Sequence, residues 1–483
     1  MRVNSISKME QPPGGAYNWI KRESIKELIL RENVNDAPPE SVLLMIWQHQ
    51  RLNRDALVTV DGRRIRVLHP GFVNSGEGPD FTNAVIQFDG ENVRRGDVEV
   101  DVLSSNWIAH GHFSDSRYRN VVLQVVWDVD HTHIGWPPIL PIRGCTDSPV
   151  IELMWWYGRC DPRVAILPVK GRCAEIFSKL CEGRLRKFVE GAAEHRLASK
   201  VARFTARAAL VGWTQSLWEG LFRSLGFKHN TWPMFCLGEL RPILPSPEAG
   251  LETIQSILFG LSGLLPHELP RKSREIEEYV RRMWHIWWRC QTQYHRYLIP
   301  SEIWRFKGVR PANHPHRRLA LVSHWLAEPS FIMQLEHWAT NPGTKPWSSL
   351  QEILVPKVNG FWETHYSLFS SAARIHSQLL GKHRVTDLAV NVIIPWLRAK
   401  ALATGDHKLA DAAMKLYFDW PAGQDNSILK VARERFFGLR ECKFSWEKTA
   451  AFQQGLIQLV HDFCCNRDPI CTRCRLVEML SRL

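Results

Sequence analysis

The stretch GDVEVDVL (Gly96–Leu103) alternates valine with acidic residues, and its reading decides the fold of the N-terminal part of the chain. A strand has a side-chain period of two, so Val98, Val100 and Val102 share one face while Glu99 and Asp101 share the other. Working outward, FTNAVIQF (Phe81–Phe88) precedes it across the turn pair Asp89-Gly90, which predicts a hairpin. RIRVLH (Arg64–His69) predicts an earlier strand, and SVLLMIWQHQ (Ser41–Gln50) has the apolar spacing of a helix. On the far side, Ser114–Arg119 predicts a short helix, and VVLQVVWDV (Val121–Val129) is the most strand-like run in the chain. The expected order is helix, three strands, helix, strand.

Pro and Gly cluster through Pro137–Pro168, and helical periodicity dominates afterwards, as in Ala193–Trp213, Ser273–Leu298, Thr386–Ala403 and Thr449–Phe463. The expected class is therefore α+β: an αβββαβ module over residues 37–150, then a large, mainly α-helical domain over 151–463. Residues 1–36 are polar, apart from a helical pattern at Trp19–Arg31, and read as a loosely attached leader; residues 464–483 form a Cys-rich C-terminal tail.

The 483 residues are 45% hydrophobic and 23% charged, which excludes global disorder. No apolar run approaches the roughly 18 residues of a membrane span, and the 11 Cys are scattered and odd in number, which argues against a secreted disulfide framework. The N-terminus lacks the apolar stretch of a signal peptide, so the expected location is cytoplasmic, with no membrane partner. The net charge of +13 is uneven. Between Glu40 and Gly135 stand nine Arg and no Lys against nine Asp and four Glu, a net of −4, which leaves +17 on the rest. An acidic module that can hold a cation, inside a basic chain that can hold phosphates, suits a metal-dependent protein acting on nucleic acid; solvated faces of uneven charge would give the same balance.

GEGPDF (Gly76–Phe81) places Asp80 at the start of the first hairpin strand, 19 positions before Glu99. If the two strands pair, Asp80, Glu99 and Asp101 converge, and three carboxylate oxygens suit a hard cation such as Mg²⁺. The bland alternative is an acidic hairpin rim without a metal. His110 and His112 would face one way on a strand and could bind a transition metal, but the Gly between them reads as a turn.

These elements resemble the PD-(D/E)xK nuclease superfamily, whose core runs helix, three strands, helix, strand; the resemblance implies a restriction-endonuclease-like module. Pro79-Asp80 matches its first motif and Glu99-Val100-Asp101 its second, with Asp101 standing where a Lys is usual. IAHGHFSDSRYRNVVLQVVW also looks like the His-then-Asp segment of very-short-patch-repair-type nucleases. That comparison implies His110 or His112 near a scissile phosphate, with Asp115, Arg117 and Tyr118 on the next helix. WQHQ, VLHPGFVNSGEGPDFTNAVI and GDVEVDVLSSNWIAHGHFSDSRYRNVVLQVVW, with the terminal Cys group, resemble the bacterial domain of unknown function 2851 family. That family implies a His at the positions of Asp101 and Gln124, and this chain departs at both. It brings no established activity.

HDFCCNRDPICTRC (His461–Cys474) places Cys464, Cys465, Cys471 and Cys474 within eleven residues. Cys471 and Cys474 form a knuckle that fits a structural Zn²⁺ or Fe–S site, with Cys465 or Cys464 as a third ligand and Cys442 or His461 as a fourth. Free thiols on a helical cap are the alternative. The remaining cysteines, Cys173 among them, read as core thiols. In RRMWHIWWRC (Arg281–Cys290), Arg281, Arg282, Arg289 and Trp288 could form a stacking and phosphate-binding face, and Arg317 and Arg318 extend the basic stretch; a core stripe of Trp with snorkelling Arg has the same pattern. The leading expectation is a Mg²⁺-dependent endonuclease hydrolysing DNA, with Asp80, Glu99 and Asp101 as ligands and His112 or Tyr118 assisting. The alternatives are a catalytically degenerate nucleic-acid-binding protein and a metal-stabilised scaffold.

Overall fold

The computed structural model describes residues 15–21, 37–74, 76–89, 93–131, 137–147, 150, 153, 171–227, 229–270, 273–358, 360–374, 378–438, 443–464, 471 and 474–480. The N-terminal part is a mixed sheet of six strands: β1 Ile65–His69, β2 Phe72–Val73, β3 Phe81–Phe88, β4 Arg94–Leu103, β5 Val121–Asp128 and β6 Ile139–Pro141. Their order is β1-β3-β4-β5-β6, with β2 also on β3. The pairs among β1, β2, β3 and β4 are antiparallel, whereas β4–β5 and β5–β6 run parallel. The expected hairpin is β3–β4, in register Phe81↔Val98. β2 and β6 are additions to the expected order.

The alternation in β4 works as its sequence implies. Val98 and Val100 join an apolar core with Leu43, Ile46 and Trp47 from the helix Glu40–His49, which covers that face. Glu99 and Asp101 point to the opposite face. Gly96 marks where the parallel partner comes closest: a Cβ there would sit 2.3 Å from the Asn120 carbonyl oxygen and from a Val122 methyl, so no side chain fits. β5 is buried along almost its whole length, as a parallel strand between two others must be, and this explains its continuous apolar run. Gln124, fully buried, is the polar exception in it.

The β4–β5 crossover carries a one-turn helix, Asn106–Ala109, and a 3₁₀ turn, Ser116–Tyr118, in place of the single helix expected at Ser114–Arg119. From Cys173 onward all named elements are helical. The longest, Glu182–Val211, packs against Ala450–Leu459 and Ile394–Thr404. Trp325, Trp396 and Trp420 are fully buried in this region, so much of the Trp content is core. Arg317 and Arg318 are buried too. Arg317 donates to the carbonyls of Trp362, His365 and Gln378 at 2.8–3.0 Å, so it ties loops together and offers no phosphate contact.

The leader is not all loose. Residues 15–21 are helical, Tyr17 and Ile20 are buried in a core shared with Phe188 and Leu456, and Lys21 pairs with Asp462 at 2.9 Å. The amphipathic pattern at the start of Trp19–Arg31 is a docking face. The C-terminal helix Arg475–Leu480 buries Leu476 in the same core, so the tail is also packed on the body. Among the described residues no helix is long and apolar enough to cross a membrane.

Candidate metal centre

The face of β4 opposite the valines carries the expected carboxylates, and strand pairing brings in the third. The Asp80 backbone N–H donates to Glu99 Oε2 at 3.1 Å, and the Val100 N–H donates to Asp80 Oδ2 at 3.1 Å. Asp80, Glu99 and Asp101 are 9%, 7% and 1% exposed. Two of these buried acids resist ionisation. Burial, then the charges of Asp80 and Asp101, push Glu99 up to about 9. Burial also raises Asp101, opposed by hydrogen bonding from Gln124.

The crossover folds back over this face. Gly111, in the left-handed region at φ 72°, makes the turn that the His-Gly-His sequence implies. Trp107 is buried beneath it, with ring centroids 5.4 Å from His112 and 5.9 Å from Tyr118, and the His112 and Tyr118 rings stack at 3.9 Å. Asp115 accepts from the Arg117 N–H, and Arg117 reaches Glu77 at 2.5 Å, which clips the crossover to the loop bearing Asp80. His112 Nε2 then lies 3.3 Å from Glu99 Oε1, and His110 Nδ1 lies 3.8 Å from Asp101 Oδ1.

Asp101, His110 and His112 offer ligand atoms that all lie within 4.8 Å of one another, the one such set among the described residues. The cluster is thus richer in nitrogen than the all-oxygen Mg²⁺ site expected from Asp80, Glu99 and Asp101. Two imidazoles with carboxylates suit a first-row transition ion, Mn²⁺ or Zn²⁺, better than Mg²⁺. Burial, followed by the nearby His110, lowers the His112 pKa, which favours the neutral ring a metal requires. His112 Nε2 is buried without a hydrogen-bond partner. An unprotonated Nε2 facing a Glu99 oxygen puts two lone pairs together, which a proton or a cation resolves. Tyr118 is pushed up to about 12, chiefly by burial and then by Glu99, so it stays a hydroxyl.

Gln124 completes the set, and sequence reasoning did not place it there. Its Nε2 donates to Asp101 Oδ2 at 2.9 Å and to the Ser104 carbonyl at 3.3 Å. Asp101 and Gln124, the two positions at which the resemblance implies histidines, are therefore in contact, as a carboxylate–amide pair. A buried amide in an otherwise apolar strand was the available signal.

The nucleic-acid-binding candidates lie elsewhere. On the helix Arg274–Tyr294, Arg281 pairs with Glu277 and Arg282 with Glu252 of the helix Leu251–Leu261; Arg289 and Trp288 are exposed, while Trp284 and Trp287 pack on the core. A larger basic feature was missed. A cleft of about 2060 Å³ runs between residues 50–54 of the sheet module and the helices, lined by nine Lys and Arg side chains against four carboxylates. Some of those cations are already paired, Arg51 with Asp147, Arg54 with Glu239 and Arg207 with Glu219, while Arg310 and Lys430 are exposed in it.

Of the metal candidates at the C-terminus, Cys442 and Cys465 lie outside the described residues. Cys471 and Cys474 lie beside Cys464 and, unexpectedly, Cys173. No curated protein and no solved structure matches the chain. A family model matches residues 40–426, which span the sheet, the carboxylate–histidine cluster and most of the helical region, and the chain belongs to that family, protein of unknown function (DUF2851).

Proposed function

We propose that this protein is a metal-dependent nuclease that hydrolyses phosphodiester bonds in DNA, acting through the β4 cluster. The observation that carries the reading is the convergence of Asp80, Glu99 and Asp101 with His110 and His112 on one sheet face, with the His112 Nε2 buried and without a hydrogen-bond partner. The element order supports it as well: β1, β3 and β4 run antiparallel, and β5 follows a crossover to lie parallel to β4, the order that the resemblance implies for a nuclease-like module.

Asp101, His110 and His112, with Asp80 and Glu99 beside them, would hold the ion. When bound, the ion supplies charge stabilisation to a phosphoryl oxygen and lowers the pKa of a water. The chain's own contributions are positional. Gln124 fixes the Asp101 carboxylate, Tyr118 and Trp107 fix the His112 ring, and Glu99 would give up its proton to solvent where a cation is held. The basic cleft begins at the C-terminal end of the helix Glu40–His49, and Glu40 at the other end is close enough to raise Glu99 and Asp101. Ten helical residues rise about 15 Å, a distance that a short stretch of nucleic-acid backbone spans.

The test is cleavage of single- and double-stranded DNA with Mn²⁺, Zn²⁺ or Mg²⁺, compared with the Asp80→Ala and Asp101→Ala proteins. Cutting that equals wild type in both variants would remove the site. A second reading, a nucleic-acid-binding protein without hydrolysis, is favoured by the acid at position 101, where the superfamily uses a Lys. It predicts salt-dependent DNA binding that Asp80→Ala leaves intact.

A further inference from the structure

The C-terminal cysteine run is completed from far upstream. Cys464 ends the helical stretch that begins at Ala450, and Cys471 and Cys474 precede the helix Arg475–Leu480. Cys173 opens the helix Cys173–Lys179, which packs against both Ser427–Phe437 and Arg475–Leu480. Arg435, 1% exposed, is the point where they meet. Its carbonyl accepts from Cys173 Sγ at 3.8 Å, its Nη1 donates to Cys471 Sγ at 3.7 Å, and its side chain hydrogen-bonds Cys464. Cys474 packs in the same apolar cluster, close to both Cys173 and Cys464.

Two further features distinguish this group from ordinary core thiols. Cys471 holds a left-handed backbone at φ 58°, costly for a residue with a Cβ, and its carbonyl accepts from Arg172 Nη1 at 3.5 Å. A buried guanidinium among sulfurs also favours a group of net negative charge, and N–H···S bonds of this kind accompany ligated thiolates.

The spacing argues against a single tetrahedral ion. Tetrahedral zinc with Zn–S bonds of about 2.3 Å holds its sulfurs about 3.8 Å apart. Among the described residues no three of these sulfurs lie within 4.8 Å of one another. A cluster of several irons has a larger radius and takes four cysteines at wider separation. We propose that Cys173, Cys464, Cys471 and Cys474 bind an iron–sulfur cluster that fastens the helix Cys173–Lys179 to the C-terminal segment.

The test uses the full chain, purified without oxygen and reconstituted with ferric iron, sulfide and a thiol reductant that reduces part of the iron. The expected result is iron and acid-labile sulfide in equal amounts, with broad visible absorbance that dithionite bleaches. Cys173→Ser should retain about tenfold less iron, whereas Cys181→Ser, at an exposed thiol outside the group, should match wild type. Far-ultraviolet circular dichroism separates loss of cluster from loss of fold. If Cys173→Ser is unfolded, Cys474→Ser, at a part-exposed position, is judged instead, and the same loss is expected there. Zinc in place of iron, reconstituted protein without metal, or full iron retention in the folded variant would each overturn the proposal.

Discussion

Two buried carboxylates in this molecule meet opposite fates. In the helical region, Asp462 accepts from the Tyr17 hydroxyl, from Gln458 Nε2 at 3.0 Å and from Lys21 at 2.9 Å. Burial alone would raise its pKa, but Lys21 and His461 outweigh burial and hold it well below the usual carboxylate range. Burial lowers Lys21 as well, against the pull of Asp462, which shows how costly this pair is to bury. In the sheet module, Glu99 is about as deeply buried, yet its nearest charged neighbours are more acids, and it is pushed up to about 9. The fold supplies a cation at one site and a second and third acid at the other. Buried like charges persist where something outside the chain pays for them, and this is why the β4 cluster, and not the better satisfied networks around it, is the functional candidate.

The comparison breaks first at Lys21. Lys21→Met keeps the length of the side chain and removes its charge, leaving Asp462 without its main cationic partner. The expected loss is about 3–5 kcal/mol of unfolding free energy, measured by urea denaturation. Asp462→Asn on top of it should restore part of that loss. An unchanged midpoint in Lys21→Met would mean that Asp462 is held by its hydrogen bonds alone, and the contrast with Glu99 would lose its cause.

How much of this was legible follows the same division. The period-two pattern of GDVEVDVL placed Glu99 and Asp101 on one face and the valines on the other, and the hairpin brought in Asp80, because strand geometry is local and repeats every two residues. The pairing of His110 with Asp101 and of His112 with Glu99 depends on how a loop closes over the sheet, which residue types alone do not specify. Gly111 signalled the turn but not its direction. Cys173 and Lys21 were harder still. Each meets partners hundreds of positions away through helix packing, and no spacing rule connects Cys173 to Cys471 or Lys21 to Asp462. Arg317 shows the reverse error: a basic residue in a basic stretch looked available, and three carbonyls claim it.

A second measurement sharpens the sheet side of the contrast. Gln124 holds Asp101 through a buried hydrogen bond, in the position where an outer partner orients a ligand. Gln124→Ala should lower Mn²⁺ or Zn²⁺ affinity about 10–100-fold, measured by calorimetric titration, with little change in far-ultraviolet circular dichroism. Gln124→His puts an imidazole beside Asp101 and is predicted to recover part of the affinity. If neither variant alters metal binding, Asp101 is not a ligand.

The smallest expected effect has the most informative sign. The folded-state pKa of Glu99, about 9, lies above its ordinary value of 4.5, so the folded protein keeps a proton that the unfolded chain has already lost. Where the unfolded state binds fewer protons, stability falls as pH rises, so Glu99 makes the metal-free protein progressively less stable between about pH 4.5 and 9. Asp462, with its pKa lowered, works the other way: its contribution is complete above the ordinary carboxylate range and is lost as pH falls from there toward its depressed value. Glu99→Gln should therefore stabilise the metal-free protein at pH 8 by at least about 1.4 kcal/mol, the equivalent of one pKa unit, and leave its stability at pH 4 unchanged. Metal binding needs the ionised carboxylate, so wild-type affinity should climb with pH toward 9, and Glu99→Gln should flatten that climb. A gain in stability without any change in the pH profile of metal binding would make Glu99 a strained bystander and leave the cation to Asp101, His110 and His112.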